Sequence, residues 1–414
     1  MSDTSTPVDF VGYDIAIMGS GYAGLMAALR LARPAWQLRI ALINARDQFI
    51  ERVRLQESII EATAPRIPSI STFVAGIAID FIRGRVTALD PTRRRIEIAT
   101  QNQQREISFD QAIYALGSTI DVHHVPGAAE HAYRLEPGDG SRSAAALRSL
   151  LRESAGKPIR VVTVGGAETS IEVAGEIKTA WPKAEVILVS RSRCGDFRGA
   201  RVEGAVRDAL KRLKVELIDC TTVAEVRPKE IITDKGRSIG CDICVWSGGL
   251  HASTVAGEAG LATDRQGRLW VDGNLRSISH PHILAVGDAA HPIAPTGAPY
   301  RLSAFAALTS GAHAADVIAT RRAQGFLPPF SFSTLGQGIA IGRGGVGFFS
   351  YPDDRQRLFI VKGRLARYAR NFFVWFIVMV LKLERRVPGL FLWPGRKRIS
   401  WQEAKQATQK VHPA

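Results

Sequence analysis

The chain has 414 residues, enough for two or three domains, and its 46% hydrophobic and 22% charged residues match an ordinary globular protein, not a disordered or fibrous one. The opening MSDTSTPVDF lacks the basic and apolar regions expected of a secretory leader, and four cysteines (Cys194, Cys220, Cys241, Cys244) are too few for a disulfide scaffold and suit a reducing compartment. The net charge is +15, and +12 of it falls in the last 60 residues, where 14 Lys/Arg stand against 2 Asp/Glu.

From Tyr13 to Ala32 the pattern predicts strand, tight turn and helix: DIAIM, GSGYAG, LMAALRLA. A second strand follows at LRIALI, Leu38 to Ile43. The turn, Gly19-Ser20-Gly21-Tyr22-Ala23-Gly24, matches the G-x-G-x-x-G dinucleotide fingerprint in its proper strand-to-helix setting. Gly19 permits the turn, Gly21 lets backbone approach a pyrophosphate, Gly24 lets helix pack on strand, and the helix N-terminus faces the anion. The acidic residue expected at the end of the second strand is absent. Asn44 stands there, and its amide bonds a ribose hydroxyl less strongly than a carboxylate does.

Next, VTALDPTRRRIEIAT reads as a hairpin turning at Asp90-Pro91, and YALGST ends a strand in a turn at Gly117. Glu136 to Gly156 is polar, then helical. A second strand–turn–helix–strand unit follows in RVVTV, GGAETS, IEVAGEIKTA and EVILVS. Its fingerprint is incomplete. Gly165 and Gly166 are kept, but Ala167 adds a methyl where backbone should approach phosphate, and Ser170 adds a hydroxymethyl where helix meets strand. Weakened binding is expected, with a vestigial loop as the alternative. After the strand come Arg191 and Arg193 where a 2′-hydroxyl reader would be acidic, which tilts the choice toward a 2′-phosphate or marks a solvated loop.

KVELI, EIITD, CDICVW and LWVD read as short strands, and Cys241 and Cys244 as structural cysteines on one of them, with a redox or metal pair as the alternative; no metal site is expected, since no second ligand pair appears. WSGGL ends another strand in a glycine turn, and ILAVGDAA ends one in Gly287-Asp288 before a long small-residue helix. In the tail, Phe372 to Leu381 is an apolar run of 10 residues flanked by Arg364, Arg367, Arg370, Lys382, Arg385 and Arg386. A spanning helix needs about 20. A segment apolar on all sides and this short lies at an anionic membrane interface, or is buried in a core or a homodimer. Nucleic acid is not expected, because no nucleic-acid motif accompanies the charge.

Together the Gly19–Gly24 loop, YALGST, VGGAETSIE, WSGGL and ILAVGD resemble the two-dinucleotide-domain flavoprotein reductases, which include type II NADH dehydrogenases and apoptosis-inducing-factor-like oxidoreductases. FIERVRLQESI and VPGLFLWP look closest to bacterial type II NADH dehydrogenase-like proteins. The resemblance implies an α/β fold with two Rossmann-like domains: a discontinuous FAD domain (1–125 and 277–330), an inserted NAD(P)H domain (126–276) and a C-terminal segment (331–414). It implies FAD on the first loop, backed by Gly117 and closed on by Gly287 and Asp288, with NADH or NADPH on Gly165, Gly166 and Arg191. Glu172, near nicotinamide and flavin in the family, is the catalytic candidate.

The implied function is FAD-dependent electron transfer from NAD(P)H to a quinone or other small acceptor, in the cytoplasm or on the inner face of the cytoplasmic membrane. The alternatives are a biosynthetic flavoenzyme with a dedicated substrate and a non-catalytic flavin-bound interaction protein. Two departures from the family bear on this. There is no cysteine before Cys194, so a dithiol relay is not expected. Phe305 and Thr309 stand where type II NADH dehydrogenases carry quinone-contacting glutamines. Tyr300 and Arg301 just upstream are placed to line the flavin, or are a packed Tyr and a surface Arg.

Overall fold

The computed structural model describes residues 11–61, 65–138, 140–196, 199–293, 300–333, 336–350, 356–396 and 400–411. The first sheet is built around the strand Val11–Met18, flanked in parallel by Ile40–Asn44 and Gln104–Tyr114. Ile15 to Met18 are each at most 1% exposed, as a parallel strand covered on both faces requires. Asp80–Arg83 extends one side, and the hairpin Arg85–Asp90/Arg95–Ala99 extends the other. The hairpin expected at Asp90-Pro91 is therefore present.

Ile283–Ala285 joins the same sheet, parallel to the end of Gln104–Tyr114. That return brings Gly287 and Asp288 back to the sheet that carries the first glycine loop. The helices Tyr22–Leu31 and Ala304–Arg322 then pack closely: a Cβ on Gly311 would lie 2.2 Å from the Ala23 carbonyl oxygen. Small residues in the second helix thus serve helix–helix approach.

A second parallel sheet has the order Glu216–Ile218, Glu185–Val189, Arg160–Val164, Ile243–Trp246, Ala132–Arg134. The strands Ser118–Ile120 and Leu250–Ala252, where the chain leaves the first sheet and comes back, pair antiparallel with one another. Cys241 and Cys244 are buried and unpaired, and no group of metal-ligating side chains occurs among the described residues.

The C-terminal part is an antiparallel sheet, Gly336–Ile341, Gly344–Ser350 and Gln356–Lys362, followed by a helix of 24 residues, Gly363–Arg386. The expectation of a helix apolar on all sides is corrected here: it is two-faced. Ala366, Val374, Ile377, Val378, Val380 and Leu381 are buried, while Leu365, Tyr368, Phe372, Trp375 and Leu383 are exposed. The inner face is also tied down by charge. Arg30 pairs with Asp316 (2.7 Å) and with fully buried Glu384 (3.0 Å), which also accepts from the Phe391 amide (2.9 Å). No helix among the described residues is long and apolar enough to cross a membrane.

Candidate functional site

The first loop is shaped by sterics at two glycines and by empty space at a third. Gly19 has φ +100, and a Cβ there would lie 2.3 Å from the Ala115 oxygen. A Cβ on Gly24 would lie 1.9 Å from the Gly19 oxygen. Gly21 differs. Its φ of −67 and ψ of −168 suit any residue, and a Cβ on it would meet no protein atom within 4 Å. The protein itself has no need of a glycine there; a ligand backing onto the loop does.

Ser20 agrees: it is 2% exposed, yet its hydroxyl has no partner among the described residues. A phosphate at the helix N-terminus would satisfy both features. The Ser20 amide donates to Asn44 Oδ1 (3.3 Å), and the Asn44 amide donates to the Arg46 carbonyl (2.7 Å). Asn44 therefore braces the loop. Tyr22 lies buried edge-on to Phe49 (5.2 Å), its pKa pushed up by burial. Ala23 is buried beneath Gly311. Gly117, at φ +70, faces open space. Gly287, at φ +62, donates its amide to Ser310 Oγ (3.0 Å), and Asp288 accepts from Ser118 Oγ (2.9 Å).

The second loop follows the same path more loosely. Gly165 has φ +135, and a Cβ on Gly166 would lie 2.1 Å from Ser190 Oγ, so both glycines are required. Ala167 caps the helix Glu168–Ala180 in an extended conformation, and Ser170 Oγ donates to its carbonyl (2.8 Å). The hydroxyls of Ser190 and Ser247 are buried without partners among the described residues. Arg193 is held by Glu203 (2.6 Å), whereas Arg191 is exposed and makes no ion pair among the described residues.

Glu172 is buried on the helix after that loop. One carboxylate oxygen accepts from the Ala340 amide (2.9 Å), and the other lies 3.3 Å from the Arg370 guanidinium. Burial pushes its pKa up to about 7, against the opposing pull of Arg370. Arg370 also binds Glu57 (2.9 Å) and the Val53 carbonyl (2.6 Å). One turn either side of Glu172, Glu168 takes Gln337 (2.7 Å) and Glu176 takes Arg367 (2.6 Å). Three carboxylates at helical spacing thus dock the helix onto the C-terminal part.

Aromatic rings line the start of the helix Ala304–Arg322. Tyr300 packs on Phe330 (5.4 Å) and Phe332 (5.0 Å). Phe305 meets Phe332, Phe391 and Phe373 (5.8 Å), and Phe373 is 36% exposed on the long C-terminal helix. A continuous ring cluster therefore runs from the start of this helix to Phe373 on the long C-terminal helix.

Residues 13–311 match the model of the pyridine nucleotide-disulphide oxidoreductases. The chain belongs to that family. It is 30% identical to an NADH dehydrogenase-like protein of Mycobacterium tuberculosis, over 67% of this chain and 72% of the relative. It is 24% identical to the demethylphylloquinone reductase NdbB of Synechocystis, over 80% of this chain and 85% of that one. The fold is similar to the sulfide:quinone oxidoreductase of Aquifex aeolicus (TM-score 0.77, 17% identity, 92% and 93% coverage) and to NDH2 of Plasmodium falciparum in complex with NADH (TM-score 0.71, 15% identity, 92% and 99% coverage). The protein is accordingly an FAD-dependent NAD(P)H oxidoreductase with two Rossmann-like sheets.

Several contributors to the site escaped the sequence. Arg370 reads as one of the basic flanks of an apolar run, but it turns inward to Glu172. Arg367 does the same toward Glu176, and Arg385 donates to the carbonyls of Phe73 and Ala75. Of the six flanking cations, Arg364, Lys382 and Arg386 remain exposed. Only the helical spacing of Glu168, Glu172 and Glu176 signalled that partners would face them. Ser118, on Asp288, carried no signal beyond its place after a glycine turn.

Proposed function

We propose that the protein oxidises NADPH, and NADH less well, and delivers the electrons to an apolar quinone-type acceptor while docked on an anionic membrane surface. The observation that carries this is the two-faced C-terminal helix: its inner face supplies Arg370 to Glu172, and its outer face leaves Phe372 64% and Trp375 43% exposed. We assign the flavin half to 1–125 with 277–330, the nicotinamide half to 126–276, and the docking part to 331–414.

Bound FAD would supply the chemistry, accepting two electrons from NAD(P)H and returning them to the acceptor. The chain's residues do the rest. Gly19, Ser20, Gly21 and the N-terminus of the helix Tyr22–Leu31 would hold the pyrophosphate, with Tyr22 and Ala23 packed at the start of that helix. Gly117 leaves open space, and Asp288 on the Gly287 turn would accept from a sugar hydroxyl. Gly165 and Gly166 admit the nicotinamide cofactor's phosphates. Arg191, exposed and without an ion pair among the described residues, would meet a 2′-phosphate. Glu172, titrating near neutral pH, can hold or release a proton at its carboxylate beside the nicotinamide. The ring cluster around Phe305 excludes water and offers an apolar wall in place of glutamine amides. The quinone assignment also draws support from NdbB, whose name specifies a quinone reductase.

Docking through the outer face combines insertion of Tyr368, Phe372 and Trp375 with attraction of Arg364, Lys382 and Arg386, about 1 kcal/mol per cation at an anionic surface. Truncation is the wrong test of it, because Ile377, Val378, Val380, Leu381, Phe391 and Trp393 belong to the core. Phe372→Glu with Trp375→Glu is the right one. The variant should stay folded and reduce soluble dyes normally, yet fail to float with anionic liposomes and turn over a liposome-borne quinone slowly. Equal flotation and equal quinone turnover would reject the membrane role. Normal dye reduction without quinone reduction by the wild type would reject the acceptor.

A further inference from the structure

We infer that Ser118 is a positioning residue for the flavin, acting through Asp288. Ser118 is 3% exposed, and its hydroxyl donates to Asp288 Oδ2 at 2.9 Å. The other Asp288 oxygen makes no hydrogen bond among the described residues. A carboxylate on a turn is otherwise free to rotate about its last side-chain bond. Fixing one oxygen fixes the plane, and it leaves the second oxygen set for a ligand hydroxyl. The donor is itself held firmly. Ser118 follows the left-handed turn at Gly117 and pairs with Ala252 in the two-stranded connector through which the chain leaves and re-enters the first sheet.

The fold brings this pair together from positions 170 residues apart. The carboxylate is carried on the strand Ile283–Ala285 and its turn, and the hydroxyl is carried on the connector. Flavin retention is thereby linked to the seating of the connector. The inference rests on Asp288 being a flavin ligand, as proposed above.

A double-mutant cycle on FAD affinity tests it, read as the quenching of FAD fluorescence when apoprotein is titrated. Asp288→Ala should weaken binding. Ser118→Ala alone should raise the dissociation constant about tenfold, the effect of one hydrogen bond to a charged group. In the Asp288→Ala background the same change should have no effect. Ser118→Thr keeps the hydroxyl and should restore affinity to within about twofold. Should Ser118→Ala not fold, Ser118→Cys, a near-isostere with a weak donor, carries the same comparison. If Asp288→Ala leaves affinity unchanged, the assignment of Asp288 fails and the inference falls with it. If Asp288→Ala weakens binding but Ser118→Ala and Ser118→Cys do not, the inference alone is overturned. An equal loss in both backgrounds overturns it too, since Ser118 would then act without Asp288.

Discussion

The two glycine loops have the same length and join the same kinds of element, yet they are packed by different rules. In the first, a Cβ at Gly24 would sit 1.9 Å from the Gly19 oxygen, so helix and strand are in backbone contact. In the second, the residue at the same place is Ser170. Its side chain fits, and its hydroxyl bonds the Ala167 carbonyl at 2.8 Å. At the phosphate-facing position, Gly21 keeps a space that the protein does not use, whereas Ala167 puts a methyl there. The proposed flavin loop thus keeps more room for a phosphate than the proposed nicotinamide loop. The second loop's remaining glycines, and its buried Ser190 and Ser247 hydroxyls with no partner among the described residues, argue against a vestige.

Exchanging the loops' residues should have very unequal effects. Gly24→Ser should destabilise the fold by about 3 kcal/mol or more, since backbone must move to admit the side chain, whereas Ser170→Gly should cost about 1 kcal/mol or less. Chemical denaturation of both variants measures this, and equal losses would show that the two helices approach their strands alike. Gly21→Val, at the N-cap of the helix Tyr22–Leu31, should cost the apoprotein about 1 kcal/mol or less but weaken FAD binding by about 100-fold or more. A stable variant that remains yellow would mean that no ligand occupies that space.

On the second loop, Arg191→Glu should weaken NADPH binding roughly 10- to 100-fold and leave NADH nearly unchanged. A wild type that prefers NADH from the start would remove the 2′-phosphate role. The smallest effect concerns pH. Glu172 has its folded pKa raised to about 7 from an ordinary 4.5. Its contribution to stability is therefore fully present below pH 4.5 and is lost as pH rises through about 7. Glu172→Gln has nothing to ionise. Its melting temperature should lack that fall between pH 5 and 8, and its rate of flavin reduction should lose any inflection near 7. Identical profiles for the two proteins would place the titration elsewhere.

What could be read in the sequence was local. Gly19 to Gly24, the Asp90-Pro91 hairpin and the Gly287-Asp288 turn each follow from a few adjacent residues and the sterics of a turn. The site's long-range pairs could not be read this way. Arg370 reaches Glu172 across 198 residues, and nothing in RLARYARNFF distinguishes an arginine bound for a carboxylate from one bound for a headgroup. The long helix misled for a related reason. Its central run, FFVWFIVMVL, is apolar at every position, so periodicity could not show which side the core takes. The charged residues that turn inward, Arg367, Arg370, Glu384 and Arg385, mark the buried face. Asn44 was legible as a departure from the fingerprint, but its bond to the Ser20 amide depends on the loop's folded path.

The most direct test of the claim that the second loop works is anaerobic stopped-flow reduction of the FAD-bound protein with NADPH and, separately, NADH. The flavin absorbance should bleach in a single-turnover phase whose rate saturates with nucleotide concentration, at lower concentration for NADPH than for NADH. Flavin that stays oxidised with both nucleotides, in protein shown to hold FAD, would mean that Ala167 and Ser170 have closed the nicotinamide site and that the chain is not a pyridine-nucleotide reductase.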